Sequence, residues 1–159
     1  MSDEGMSKIV KTIASVAFPL VLIFGLYVIA HGHLTPGGGF QGGAVVASGL
    51  AMLVIAFGSP WALKKAKKKN LSILESVGAV SFIGFALLGL VYGAVFFNNF
   101  LTGENLLFGE VPEKLSTAAN INTGGMIPWM NFAVGLKVIA GLFAIVLIMA
   151  YATSYRKKE

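Results

Sequence analysis

Lys137 is an ionisable side chain set in an apolar segment: the run from Asn131 to Ala152 carries no other charge. A charged lysine in hydrocarbon costs about 2.5–3.5 kcal/mol on insertion scales. Counted from Asn131, Lys137 lies roughly 9 Å below the end of its segment at ~1.5 Å per residue. It can snorkel to the interface, face a polar interior, or give up its proton, and ionisable groups at such depth mark ion or proton routes by default. Glu75 is the matching exception in the segment 73–97. It sits near the start of that segment, where the helix dipole also favours a carboxylate. Because neighbouring spans run in opposite directions, the spacing predicts that Glu75 and Lys137 lie near opposite membrane faces and form no salt bridge. His31 and His33 can exchange protons near neutral pH. They can equally be hydrogen-bond partners of the glycine-rich backbone beside them. Two imidazoles at i and i+2 are too few for a metal site without a third ligand, and none is evident.

The densest motif follows the histidines: Thr35, Pro36, Gly37, Gly38, Gly39, Phe40, Gln41, Gly42 and Gly43. Pro36 fixes its own φ and pushes Thr35 out of the helical region, and glycines then reach backbone angles closed to other residues. The segment must end one helix and start another in a tight turn. It lacks the closing Lys-Ser/Thr of a phosphate loop, and no strand precedes it as a dinucleotide fingerprint requires. From Gly39 onward, Gly43, Ala47 and Ala51 recur every fourth residue, and Gly89 and Gly93 repeat the spacing later. Small faces of this kind let helices approach closely in lipid, within the chain or against another subunit.

The elements that must position these groups are four apolar stretches, at about 12–30, 40–57, 73–97 and 131–152. Each is near the ~20 residues needed to cross ~30 Å of hydrocarbon. None alternates as barrel strands do, and a helix satisfies its own backbone in lipid. Hydrophobic residues are 56% of the 159 and charged residues 12%, about half the charged share of a soluble domain. The expected fold is therefore an all-α integral membrane protein, one membrane domain over 1–159 with four transmembrane helices. A cleavable signal peptide is not expected, because the first apolar segment is long for one. No internal repeat is convincing.

Charge orients the chain. Lys8 and Lys11 precede the first span, Lys64, Lys65, Lys67, Lys68 and Lys69 fill the loop 58–71, and Arg156, Lys157 and Lys158 close the tail. The loop 98–130 instead holds Glu104, Glu110 and Glu113 against Lys114. By the positive-inside rule both termini and the lysine loop are cytoplasmic, and the glycine turn and acidic loop face outward. The same placement explains the net charge of +5 without nucleic acid. The lysine run reads as a solvated orienting loop, with a lipid-headgroup or partner patch as the other reading. With no Cys in the chain, disulfides, thiolate metal sites and cysteine nucleophiles are excluded. No nucleophile–base–acid set suggests an enzyme.

His-Gly-His-Leu-Thr-Pro-Gly-Gly-Gly-Phe-Gln-Gly-Gly, residues 31–43 between two spans, resembles the signature of the MnhB/MrpB family, small membrane subunits of multisubunit sodium/proton antiporters. The same module is built into archaeal membrane-bound hydrogenases and related sulfur-reducing complexes. Bacterial members have an Asn-Ala-Pro-like run where this chain has His33-Leu-Thr-Pro36, and their last span tends to open Phe-Asp-x-Gly-Val. The run Asn131-Phe-Ala-Val-Gly-Leu-Lys137 is more similar to archaeal versions. The resemblance implies a multi-pass subunit of a prokaryotic cell (plasma) membrane with no cofactor of its own. Its implied partners are large antiporter-like and other small membrane subunits, together with hydrogenase subunits in the hydrogenase case. The nickel–iron and iron–sulfur centres would then lie on other chains, since no Cys here can ligate them. The expected role is non-catalytic: assembly and cation/proton translocation, with Lys137, His31, His33 and Glu75 as the ion or proton pathway candidates. A purely structural scaffold and an independent small channel are the alternatives.

Overall fold

The computed structural model describes residues 5–104, 107–111 and 120–156. Glu113, Lys114, Lys157 and Lys158 fall outside them, as does the side chain of Arg156. The described chain is helical: α1 (Lys8–Ala30), α2 (Gly39–Phe57), a short α3 (Ser59–Lys65), α4 (Lys68–Gly93) and α5 (Ile127–Arg156). Four of these, all but α3, are long and apolar enough to cross a membrane, so the chain is a multi-pass membrane protein. Among the described residues the β structure is a single parallel bridge between Glu110 and Thr123.

The long helices pack in the order α1, α2, α5, α4, and α3 lies against α5 and α2. Each crossing is set by a residue without a side chain. A Cβ on Gly42 would stand 2.5 Å from Cγ1 of Ile29 and 2.6 Å from the carbonyl of Gly25, so α2 meets α1 backbone to backbone there. A Cβ on Gly43 would stand 3.0 Å from the Gly135 carbonyl and 2.9 Å from Val138 Cβ, and one on Gly39 would strike the Asn131 carbonyl. The motif thus serves two neighbours at once, Gly42 facing α1 while Gly39 and Gly43 face α5. Ala47 is buried on α2, and Ala51 lines a shallow groove between α1 and α2 with Val10, Ala14 and Ile55.

Gly89 and Gly93 do something different from the expected helix–helix packing. A Cβ on Gly89 would stand 2.6 Å from Asn98 N, and one on Gly93 would strike the Asn98 side chain. The chain folds back on α4 there, with Asn98 Nδ2 donating to the Gly93 carbonyl at 3.2 Å. Ala94 and Phe97 take positive φ to make the turn, and α4 stops at Gly93 instead of running on to 97.

One end of the bundle is basic. Met6 N donates to the Ala56 carbonyl at 2.9 Å, which ties the start of the described chain to the end of α2. Val54 of α2, Ala62 of α3 and Phe143 and Leu147 of α5 form one buried cluster, with Ala150 against it. The amino end, the lysine connector and the carboxyl half of α5 therefore share one end of the molecule. The stretch 58–71 includes α3 and the first turn of α4, and α3 carries Lys64 and Lys65 in its last turn, where the helix dipole favours cations.

Candidate functional site

Lys137 lies deeper than the apolar edge of its segment suggests. Pro128, buried and suited to the first turn of a helix, lets α5 begin at Ile127. Ten residues then separate Lys137 from the helix start, about 15 Å. On α4, Gly78 is likewise ten residues past Lys68, about 15 Å from the opposite end. These two positions meet. A Cβ on Gly78 would stand 2.9 Å from Lys137 N, 3.0 Å from Lys137 Cβ and 2.7 Å from the Ala133 carbonyl. The α4–α5 crossing thus falls near the middle of a ~30 Å hydrocarbon layer.

Glu75 follows from the same contact and corrects the expected separation. It lies one turn from Gly78 on the same side of α4, and its carboxylate packs on α5 with Cδ and Oε1 3.6 Å from where a Gly141 Cβ would be. Gly141 is one turn from Lys137. The two charged residues are therefore neighbours about one helical turn apart in depth instead of occupants of opposite faces. The expectation failed because each span was measured from its apolar edge, while α4 begins five residues earlier than 73 and α5 four earlier than 131. No ion pair joins Glu75 and Lys137 among the described residues. Lys137 is exposed along the seam and Glu75 half-buried. The result is a basic and an acidic group about one turn apart on the α4–α5 seam, each free to engage an ion, a proton or a third group.

The histidines occupy the other end. His31 caps α1, its N–H donating to the Tyr27 carbonyl at 2.9 Å and its ring tilted by 31° against Tyr27 with centroids 4.1 Å apart. Its own carbonyl accepts from Leu34 N, Thr35 N and Thr35 Oγ1, which closes the turn. Gly38, at φ 93°, then swings the chain into α2. Above the turn sits a cap made of residues 98–104, 107–111 and 120–126. Asn99 Nδ2 donates to the Gly124 carbonyl at 3.1 Å, and Met126 N donates to Asn99 Oδ1 at 2.7 Å. Glu110 accepts from the side-chain amides of Asn122 and Asn120, which hold its carboxyl below the usual carboxylate range. Phe40 and Gln41, the motif's larger side chains, are exposed.

His33 joins turn to cap. Its ring lies against Gly124, with Cδ2 2.9 Å from a Cβ built there, and edge-on to Phe108 at 6.3 Å. Phe108 in turn meets Trp129 at 5.6 Å. Burial lowers the His33 pKa from 6.5, against the pull of the backbone at Ala30 and Ile121, and nearby His31 lowers it further. The buried nitrogens His31 Nδ1, His33 Nδ1 and Nε2, Trp129 Nε1 and Asn131 Nδ2 have no hydrogen-bond partner among the described residues. Asn131 is the residue that sequence reasoning passed over: it wedges against Gly32 and Gly38, and only its position in the first turns of α5 hinted at it. No group of three or more possible metal ligands occurs among the described residues.

A pH effect follows. A histidine whose folded pKa is depressed lends stability that is complete above its unfolded value and is lost as pH falls below it. Trp129 fluorescence, read in a Trp61→Phe background, should therefore report loosening of the cap as pH drops below 6.5. Replacing His33 with Phe should flatten that response. An unchanged response would place the titrating group elsewhere.

Against known proteins, the family model "Domain related to MnhB subunit of Na+/H+ antiporter" matches residues 9–144. An uncharacterized protein of Methanocaldococcus jannaschii is 37% identical over 142 residues, 87% of this chain and 52% of that one. A Staphylococcus aureus protein whose name assigns it to an antiporter subunit, mnhB2, is 29% identical over 94 residues, 59% of this chain and 66% of its own length. Among solved structures, the archaeal respiratory membrane complex described as membrane-bound sulfane sulfur reductase has a chain that superposes with a TM-score of 0.68 at 29% identity, covering 91% of this chain and 58% of that one. The chain thus spans about half to two thirds of the length of these relatives. With the glycine motif and four apolar helices in place, the match over most of the sequence settles its kinship: the chain belongs to the family of domains related to the MnhB subunit of Na+/H+ antiporters.

Proposed function

We propose that this chain is a non-catalytic subunit of a multisubunit cation/proton antiporter module in a prokaryotic cell membrane, and that the α4–α5 seam takes part in moving the ion or proton. The host complex in this reading is an archaeal respiratory one, a membrane-bound hydrogenase or its sulfur-reducing relative. Kinship with an antiporter subunit and the likeness to a chain of a respiratory membrane complex support it. One observation carries the role of the seam: Lys137 and Glu75 stand about one helical turn apart on the α4–α5 seam without an ion pair to each other. Ionisable groups so placed are costly unless they serve a route or a partner. Two intramembrane charges make a short path, so neighbouring antiporter-like subunits complete it. Both termini and the lysine connector face the cytoplasm in this reading, and His31 and His33 exchange protons at the outer face.

Exchange measured in vesicles holding the assembled complex tests this. With Lys137→Met, assembly should be intact and sodium/proton exchange lost. Full exchange in that variant would leave a scaffold as the role of the chain. The scaffold reading has less to work with, because Gly39, Gly42 and Gly43 are already used within the chain.

A further inference from the structure

The face of α4 turned away from α5 carries its own chemistry. Between Lys68 and Ser81 it bears a shallow, open groove of about 670 Å³, lined by α4 residues alone. Lys68, Lys69, Ser72 and Ser76 line one part of it, and Ile73 and Val77 give it an apolar floor. Both lysines are exposed, and neither is ion-paired among the described residues. α4 also starts without a side-chain cap; Asn70 N already donates to the Lys67 carbonyl at 3.0 Å, which leaves the N–H groups of Lys68 and Lys69 to face an anion.

We propose that this groove is a binding site for one anionic phospholipid of the leaflet at the basic end, with the phosphate at Lys68 and Lys69 and an acyl chain along Ile73 and Val77. Charge complementarity names the occupant. Lys64, Lys65 and Lys67 add to the positive field around the mouth, and each basic residue at a membrane surface attracts anionic headgroups. Length agrees. The fourteen residues from Lys68 to Ser81 rise about 20 Å, close to half of a 40–45 Å bilayer with its headgroups. A free phosphate would use only the cationic mouth, whereas a phospholipid uses the mouth and the apolar floor together.

Native mass spectrometry of the full chain, purified in neutral detergent and titrated with phosphatidylglycerol, tests the site. The unaltered chain should retain one phosphatidylglycerol in preference to phosphatidylcholine. Lys68→Gln with Lys69→Gln should weaken retention roughly thirtyfold, and Lys64→Gln with Lys65→Gln, the same change in charge off the groove, should weaken it clearly less. Equal losses in the two double variants would overturn the site in favour of diffuse attraction. Displacement of the lipid by excess inorganic phosphate would overturn the role given to the apolar floor.

Discussion

A chain with Gly39→Val is expected to yield no stable bundle. A Cβ at this position would strike the Asn131 carbonyl and stand 2.9 Å from both Gly135 N and Val134 Cβ. Two of those three obstacles are backbone, which cannot rotate aside, so α2 and α5 must separate. Overpacking that side chains can absorb already costs about 1–3 kcal/mol, and in lipid no hydrophobic gain between helices offsets a lost contact. Since α5 also carries α3 and α4, separation at Gly39 disorganises the molecule. Gly84 supplies the control, because nothing lies within 4 Å of its missing Cβ. Gly84→Ala should be neutral or slightly stabilising, as a glycine inside a helix costs roughly 0.5–1 kcal/mol relative to alanine. Fluorescence-detected size exclusion after a heat step should show Gly39→Val lost and Gly84→Ala retained. Equal survival would mean that α2 and α5 do not cross at Gly39.

The second large effect concerns exchange. If Lys137 and Glu75 act as one unit, Lys137→Met, Glu75→Gln and the double variant should all fall to the same floor, at least about tenfold below the unaltered complex, because residues that work together lose activity non-additively. Additive losses would assign the two groups to separate steps. Lys137→Arg divides the possibilities further. Arginine keeps its proton at any ordinary pH, while a lysine in an apolar setting can release one. A Lys137→Arg complex as inactive as Lys137→Met indicates that Lys137 must shed a proton. Full exchange with arginine reduces Lys137 to a fixed charge.

How much of this was legible beforehand depended on the range of the interactions involved. Four spans follow from apolar length alone, and the run from Thr35 to Gly43 announced its turn because Pro36 and the glycines act locally. What these glycines touch did not follow, since a four-residue spacing says that a face is small and not which helix fills it; Gly89 and Gly93 turned out to receive the returning chain. The neighbourhood of Lys137 and Glu75 was hidden for a simpler reason. Lys68 and Lys69 are polar yet good helix formers, and Pro128 reads as a breaker although it suits a first helical turn, so both helices extend past their apolar edges. The cap was beyond reach because its bonds join residues such as Asn99 and Gly124, 25 positions apart. His33 could be named as a titratable group, but its burial depended on that same cap.

Everything functional rests on a bundle that crosses the bilayer with its basic end in the cytoplasm and its histidine cap outside. The chain contains no cysteine, so single cysteines can be introduced without a background. Intact cells carrying Lys65→Cys or Gly103→Cys, treated with a membrane-impermeant maleimide, give the most direct measurement. Gly103→Cys should label in intact cells, and Lys65→Cys only after the membrane is opened. Labelling of Lys65→Cys from outside, with Gly103→Cys protected, would contradict the orientation and the proton and ion route built on it.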